Sequence, residues 1–282
     1  MSSYLHCRRH NMSSKSVILF FRRYFVPYIT FDFGEIMNLT TIRLALVLLS
    51  TLSINAVAGD VHWDYKGKHG AEHWGSLASK FSTCQSGVNQ SPINITGVIE
   101  ASLPPLNINY QASNIDIVNN GHTIQANIAA GNTFSNDSGN FDLKQFHFHA
   151  PSENTIDGKS FPMEVHFVHV DSQGRLAVIG VMFEQGEENK TLAKLWSKMP
   201  KSAGEKNKLS ELLNGKNLMP VSSAYFRFNG SLTTPPCSEG VRWFVLKDPI
   251  SASKTQIEHF SKTMGRDTNR PVQNINARII IK

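Results

Sequence analysis

Short stretches in which apolar and polar residues alternate, or in which β-branched and aromatic residues dominate, recur along residues 60–282. Clusters of Gly, Asn, Asp and Pro separate these stretches, as is typical of strands joined by turns. The pattern predicts nine strands, at 106–110, 115–119, 123–128, 141–149, 163–170, 177–183, 224–229, 243–246 and 277–281.

Helical periodicity is confined to three brief pieces, at 191–199, 209–213 and 254–264. No internal repeat, low-complexity tract or linker interrupts the region. The sequence therefore predicts one α+β domain, mainly β, over 59–282. We expect a large central, mostly antiparallel, twisted sheet with short helices on its surface.

The region before this domain has the pattern of a secretory signal peptide over 37–58. It combines a short positive segment ending at Arg43, an apolar run at 44–49 and the small residues Ala56-Val57-Ala58. The run is shorter than the roughly 20 apolar residues that a membrane-spanning helix needs. We expect cleavage near Ala58, leaving no membrane span in the mature chain, and a periplasmic or secreted location.

Residues 1–36 have two interpretations. The segment 34–37, Gly-Glu-Ile-Met, can be encoded by a purine-rich stretch followed by a start codon, as in a bacterial ribosome-binding site. On that interpretation translation starts at Met37 and residues 1–36 are misannotated. The alternative is a genuine extended leader.

The net charge of +6 does not indicate nucleic-acid binding once its distribution is considered. Six of the 28 Lys and Arg residues, but only two of the 22 acidic residues, lie in 1–59. Residues 60–282 therefore carry 22 basic and 20 acidic residues, a net charge of +2. That balance argues against a nucleic-acid partner.

Cysteine usage fits an exported protein. Cys7 lies in the leader, so Cys84 and Cys237 form an even pair in the mature chain. An oxidising compartment favours a disulfide between them over two free thiols.

Two histidines separated by one residue, in Gln-Phe-His-Phe-His at 145–149, are the strongest chemical signal. In a strand, residues i and i+2 point to the same face, so His147 and His149 project together while the phenylalanines point into a core. The next predicted strand, 163–170, contains His166 and His169. Because these are three apart, only one can join the pair, and we expect it to be His166.

Three neutral imidazoles that bind Zn²⁺ leave a fourth tetrahedral position for water. Glu164 and Gln145 are each one pleat step from a ligand and can accept its second ring N–H. The spacing alone does not separate zinc from iron or copper, since cupin-type oxygenases also use His-x-His with a later His. An iron site of the facial-triad type would require a carboxylate ligand.

Long ordered motifs carry a family resemblance. These are EHWGSL at 72–77, QSPINI at 90–95, QFHFHAPSENT at 145–155, LAVIGVMFEQG at 176–186, GSLTTPPCSEGVRWFVL at 230–246 and NRPVQ at 269–273. The sequence resembles an alpha-class carbonic anhydrase of the bacterial exported type over essentially all of 60–282. The resemblance implies the fold predicted above, with Zn²⁺ as cofactor held by His147, His149 and His166.

The resemblance also implies the roles of the surrounding residues. Thr233 accepts a hydrogen bond from the zinc-bound hydroxide and donates its own proton to Glu153, while His122 carries the proton away. The remaining implied positions are the proton path of Tyr65, Asn120 and Gln125, the bicarbonate site near Thr234 and the carbon dioxide wall of Val168, Val178, Leu232 and Trp243. His62, His69, His73, His169 and His259 are expected to be structural or surface residues.

The implied activity is reversible hydration of carbon dioxide to bicarbonate and a proton, with ester hydrolysis as a side activity. The implied partner is therefore a small-molecule substrate, and the sequence is compatible with a homodimer. A disulfide at Cys237 would hold the loop that carries Thr233. Two rival functions remain, a non-catalytic zinc-binding module on the same fold and a cupin-type oxygenase.

Overall fold

A computed structural model describes residues 61–282 of the chain. The predicted leader segments 1–36 and 37–58 lie outside the described residues. Thirteen strands are present in the described part: β1 Asn94–Ile95, β2 Asn107–Asn109, β3 Ile115–Asn119, β4 Ile124–Ile128, β5 Thr133–Asn136, β6 Gly139–His149, β7 Thr155–Ile156, β8 Met163–Val170, β9 Leu176–Gln185, β10 Lys206–Lys208, β11 Tyr225–Ser231, β12 Glu239–Leu246 and β13 Ile250–Ala252.

The helices of the described residues are short and lie between these strands. They are α1 Trp74–Leu77, α2 Thr83–Ser86, α3 Lys190–Trp196 and α4 Lys254–Met264, with 3-10 turns at Gly67–His69, Ser79–Phe81 and Gly215–Leu218. The longest, α4, begins with a capping box at Ser253 and ends at Gly265, whose φ of 68° reverses the chain. None of the described helices combines the length and apolarity that a membrane crossing requires.

Eleven of the strands form one sheet, whose main path runs β10-β3-β4-β6-β8-β9-β12-β11. Most neighbours are antiparallel, and β9 pairs in parallel with β12 and β13. The prediction of a large, mostly antiparallel sheet with short helices is confirmed. β6 and β8 lie in the middle of the path, so each has a hydrogen-bonded neighbour on both sides.

Both faces of the sheet bury apolar side chains. Phe146 and Phe148 of β6 belong to the larger cluster, with Phe167 of β8. A second cluster includes Val178 of β9 and Trp243 of β12. Burial on both faces fixes the register of the central strands, because a slip of one residue would exchange the faces of every side chain.

Two predicted elements are wrong. Residues 209–213 form no helix; a bridge from Leu213 to Ser113 holds this segment extended, and the helical turn follows at Gly215–Leu218. Residues 277–281 form no strand, because only Ile281 pairs, with Ile99 and Arg227 as isolated bridges. In both segments long-range backbone contacts override local pattern.

Candidate metal centre and active site

The centre of the sheet brings three imidazoles together. In the β6–β8 register His147 lies opposite His166, and His149 lies opposite Glu164. One nitrogen from each of His147, His149 and His166 lies within 4.8 Å of the other two. His169 projects to the other face, where its Nε2 bonds the hydroxyl of Tyr110, so only His166 of this strand joins the pair.

The second nitrogen of each ring is held by an oxygen atom. Nδ1 of His147 is 2.8 Å from Oε1 of Gln145, and Nδ1 of His149 bonds the carbonyl oxygen of Thr268. Nε2 of His166 is 2.9 Å from Oε1 of Glu164. These contacts leave Nε2, Nε2 and Nδ1, respectively, for a metal ion.

The donor set fits a divalent cation. Nε2 of His149 is buried and has no hydrogen-bond partner among residues 61–282. Burial lowers the pKa of His147 well below its ordinary value, and the neighbouring His149 and His166 lower it further. Burial also lowers the pKa of His149, although its bond to Thr268 opposes this. Both rings are therefore neutral, as metal binding requires.

Glu164 is held by several donors. Its Oε2 accepts the backbone N–H groups of Glu153 and Asn154, and its Oε1 accepts the side-chain amide of Asn154. Burial raises its pKa, but attraction to His166 and these hydrogen bonds outweigh burial, so the net pKa is lowered. The carboxylate is charged and fixes the ring of His166.

Glu153 is the second buried carboxyl group of the site. Its Oε1 accepts the backbone N–H of Arg270, and its Oε2 lies 3.5 Å from Nε2 of His149. Burial raises its pKa to about 7, against lowering contributions from His166, the Arg270 N–H and the hydroxyl of Thr233. Among residues 61–282 Oε2 of Glu153 has no hydrogen-bond partner by geometry, so the influence of Thr233 on this pKa shows that the two groups are near one another and not that a bond joins them.

Thr233 is buried in the loop between β11 and β12. The predicted disulfide is confirmed: Cys84 and Cys237 are bonded, with Cα atoms 5.0 Å apart. The N–H of Cys237 donates to the carbonyl oxygen of Thr234. The disulfide thus attaches the loop that carries Thr233 to helix α2, which contains Cys84.

The four residues expected to form an apolar wall lie in one cluster beside the imidazoles. Val178 lies opposite Val168 in the β8–β9 pair and opposite Trp243 in the β9–β12 pair. Leu232 packs against the same cluster, and the indole of Trp243 meets the ring of His166 edge-on, with centroids 4.9 Å apart.

His122 lies in the turn between β3 and β4. Its ring stacks on the indole of Trp63, with centroids 3.6 Å apart and planes 7° apart. The pKa of His122 is lowered to about 4, chiefly by burial and then by the charge of Arg266. Asp64 raises this pKa, and His62 lowers it further.

The three proton-path candidates are Tyr65, Asn120 and Gln125, and two of them lie between His122 and His147. Oδ1 of Asn120 accepts the N–H of His122, and Nδ2 of Asn120 is 3.4 Å from Oε1 of Gln125. Gln125 lies opposite His147 in the β4–β6 pair. The hydroxyl of Tyr65 is buried without a hydrogen-bond partner in the described part of the chain. Burial, followed by the charge of Glu153, raises its pKa well above the ordinary value.

Three site residues had no role in the sequence analysis. The carbonyl of Thr268 orients His149, and Arg270 holds Glu153 through its N–H while its guanidinium donates to the carbonyl of Cys84. Gly180 lies opposite His166, where an added Cβ would be 2.9 Å from Oε1 of Glu164. Thr268 acts through its backbone carbonyl, and Gly180 acts by having no Cβ. Neither role can be recognised from the pattern of residue types. Arg270 lies in the NRPVQ motif, which was the only signal for it.

Comparisons with known proteins find one kind of relative by sequence and by structure. The sequence model described as eukaryotic-type carbonic anhydrase matches residues 69–282. A carbonic anhydrase of Pectobacterium carotovorum is 48% identical over 240 residues, covering 85% of this chain and 98% of the relative. The alpha-carbonic anhydrase of Thermovibrio ammonificans, solved with the inhibitor sulfanilamide, superposes with a TM-score of 0.78 at 47% identity, covering 79% of this chain and all of the other. Dioscorin DB3L of Dioscorea polystachya is 34% identical over 252 residues, covering 83% of this chain and 92% of the relative.

Proposed function

This chain belongs to the eukaryotic-type (alpha) carbonic anhydrase family and is a carbonic anhydrase, and we propose that it is an exported zinc enzyme that hydrates carbon dioxide reversibly to bicarbonate and a proton. The observation that carries the proposal is the convergence of His147, His149 and His166. Each has one nitrogen directed to the others and a second nitrogen held by an oxygen atom.

The metal that fits this set best is Zn²⁺, which prefers a tetrahedral site with nitrogen donors. Three neutral imidazoles leave the full charge of the ion in place, and a zinc ion held here would supply a Lewis acid that acidifies a water molecule. The second-nitrogen contacts to Gln145, Thr268 and Glu164 keep the rings in orientation.

Thr233 and Glu153 orient the attacking group in this proposal. A threonine whose proton is committed to a carboxylate can only accept a hydrogen bond from its other neighbour. The Thr233 hydroxyl thereby selects an attacking group that has a proton to donate. The same hydrogen bond orients this group so that its lone pair faces the substrate. The support is the contribution of Thr233 to the pKa of Glu153 and the fixing of Glu153 Oε1 by the Arg270 N–H.

Carbon dioxide is held, in this proposal, against the apolar wall of Val168, Val178, Leu232 and Trp243. A non-polar substrate gains from a surface that water wets poorly. Thr234, in the same loop as Thr233, is the proposed contact of bicarbonate. The same chemistry needs only an electrophilic carbonyl, so slow ester hydrolysis is part of the proposal.

His122 is the proposed proton carrier, because an imidazole takes up and releases protons near neutral pH. Tyr65, Asn120 and Gln125 would order the water between the metal site and this ring. The stacked position on Trp63, with a pKa of about 4, makes His122 a poor acceptor at neutral pH. The ring must therefore leave the indole in order to accept a proton efficiently.

Export is supported by the Cys84–Cys237 disulfide, which persists in oxidising compartments. The signal peptide proposed at 37–58, with cleavage near Ala58, lies outside the described residues. A periplasmic or secreted location remains part of the proposal.

The decisive experiment combines metal analysis with a stopped-flow carbon dioxide hydration assay of the wild type and His149→Ala. We expect one zinc per wild-type chain and rapid hydration, with both lost in the variant. Bound iron without hydration would indicate an oxygenase, and bound zinc without hydration would indicate a binding module. Either result would refute the proposal.

A further inference from the structure

A guanidinium group joins the turn that carries His122 to the segment that carries Trp63. Arg266 follows the end of α4 at Gly265, and its Nη2 donates to the carbonyl oxygen of Gly121. Its Nε lies 2.9 Å from Oδ1 of Asp64 and forms an ion pair with it, without the alignment of a hydrogen bond. We refer to Asp64, Gly121 and Arg266 as the Arg266 clamp.

Each end of the clamp lies next to one of the stacked rings. Gly121 directly precedes His122, and Asp64 directly follows Trp63. The backbone of the turn is held by Oδ1 of Asn120, which accepts the N–H groups of both His122 and Thr123. Joining Gly121 to Asp64 therefore holds the backbone of His122 beside the segment of Trp63, where the ring centroids are 3.6 Å apart.

The charged and titratable groups that face His122 are Arg266, Asp64 and His62. Burial is the largest influence and disfavours protonation of the ring; Arg266 also disfavours it, and Asp64 favours it. Arg266 and Asp64 thus influence the ring both by position and by charge. The two effects can be separated experimentally, because Arg266 and Asp64 carry opposite charges.

We propose that Arg266 is a positioning residue for proton removal: the Arg266 clamp holds His122 in a resting orientation on Trp63. This inference rests on the proposed function of His122 as proton carrier. Carbon dioxide hydration releases one proton per turnover, and this proton must be transferred after the substrate has been converted. A His122 ring with a low proton affinity therefore limits the rate of this transfer. Release of the clamp frees the ring to approach its ordinary proton affinity.

The test uses three variants of the zinc-loaded full-length enzyme. Arg266→Met removes the clamp and a positive charge, and Asp64→Ala removes the clamp and a negative charge. Lys262→Met is the matched control, because Lys262 is an exposed lysine of α4 that pairs only with Glu258 within the described residues. The measurements are the pKa of His122 by NMR, and kcat and kcat/KM for hydration at pH 7 in weak buffer.

We expect both clamp variants to raise the pKa of His122 by about one unit or more toward its ordinary 6.5. Charge alone would make Asp64→Ala lower this pKa, so a rise in both variants is the signature of positioning. We also expect kcat to rise at least about twofold with kcat/KM unchanged, since an acceptor with a pKa nearer the working pH accepts protons faster. Lys262→Met should match the wild type.

Three results would overturn the proposal: an unchanged pKa in Arg266→Met, a lowered pKa in Asp64→Ala, or a fall of kcat in either clamp variant. A separate His122→Ala variant tests the premise. If that variant keeps the wild-type kcat, the proton-carrier role fails, while the NMR result still decides whether the clamp positions the ring.

Discussion

His147 and His166 lie directly opposite one another on adjacent antiparallel strands, with ring centroids 5.4 Å apart. Directly opposed side chains are the closest pairs that a sheet offers. The backbone register of β6 and β8 therefore sets the separation of two of the proposed metal ligands. A rigid central sheet in this way holds the geometry of the proposed zinc site.

Removal of one imidazole from this set should abolish metal binding. We expect His149→Ala to lose the bound zinc and hydration activity, because two neutral nitrogens bind zinc far more weakly than three. Mass spectrometry of metal content and the hydration assay measure both. His259→Ala, on an exposed position of α4, is the control and should keep its zinc. Full metal content in His149→Ala would contradict the assignment.

The hydroxyl of Thr233 should be required for turnover and not for folding. We expect Thr233→Val to lower kcat/KM about 100-fold, the usual effect of removing one oriented hydrogen-bonding group from an active site. Thr233→Ser retains a hydroxyl and should retain most of the activity. Equal loss in both variants would indicate a packing effect of the side chain and would count against the relay to Glu153.

The disulfide should support both stability and activity. It joins residues 153 apart in the sequence, and the chain-entropy model gives a stabilisation of up to about 5 kcal/mol for so long a loop. We expect Cys237→Ser to lower the free energy of unfolding in urea and also kcat, because the loop of Thr233 loses its attachment to α2. The double variant with Cys84→Ser controls for the free thiol. Unchanged kinetics would show that the loop needs no such attachment.

Loss of the His122 imidazole should slow proton release selectively. We expect His122→Ala to lower kcat about 10-fold or more while leaving kcat/KM nearly unchanged, since proton transfer follows conversion of the substrate. Added imidazole should restore kcat by replacing the missing base. A parallel fall in kcat/KM, or no rescue, would refute the assignment.

His169 should make the protein sensitive to acid. Its ring is fully buried, and burial lowers its pKa to about 3, against hydrogen bonds to the carbonyl groups of Ala177 and Phe167. Between pH 6.5 and 3 the unfolded chain binds a proton there and the folded chain does not, so stability falls as the pH falls, by about 1.4 kcal/mol per unit.

The variant His169→Gln can still accept the hydrogen bond of Tyr110 but does not titrate. We expect it to show a shallower loss of stability between pH 6.5 and 4 than the wild type in urea unfolding. Parallel curves for the two proteins would show that this ring does not contribute to acid unfolding.

The sequence predicted the central strands and the side on which their histidines lie, because alternation over 145–149 places His147 and His149 on the face opposite the phenylalanines, although the strand as a whole changes register between Leu143 and Gln145. Parity also allows only one of His166 and His169 to join them, and His166 was chosen because it shares a face with Glu164 and Val168. The failures at 209–213 and 277–281 arise from contacts with segments distant in the chain, which local periodicity does not contain.

The parts of the site that could not be predicted are those made by backbone atoms or by ring orientation. The carbonyl of Thr268 lies 119 residues from His149 along the chain, and its hydrogen bond uses no side-chain atom of Thr268. The stacking of His122 on Trp63 joins two segments that are distant in the chain, and nothing in the local sequence of either ring indicates it.

The central position of β6 and β8 in the sheet has a consequence for how the molecule opens. Strands with hydrogen-bonded neighbours on both sides exchange their amide protons slowest, whereas turns and hairpin loops open first. Warming should therefore displace the turn of His122 while His147, His149 and His166 keep the arrangement in which they would hold a metal ion. Between those two events the protein would keep its proposed metal site but lose the proposed route for proton removal.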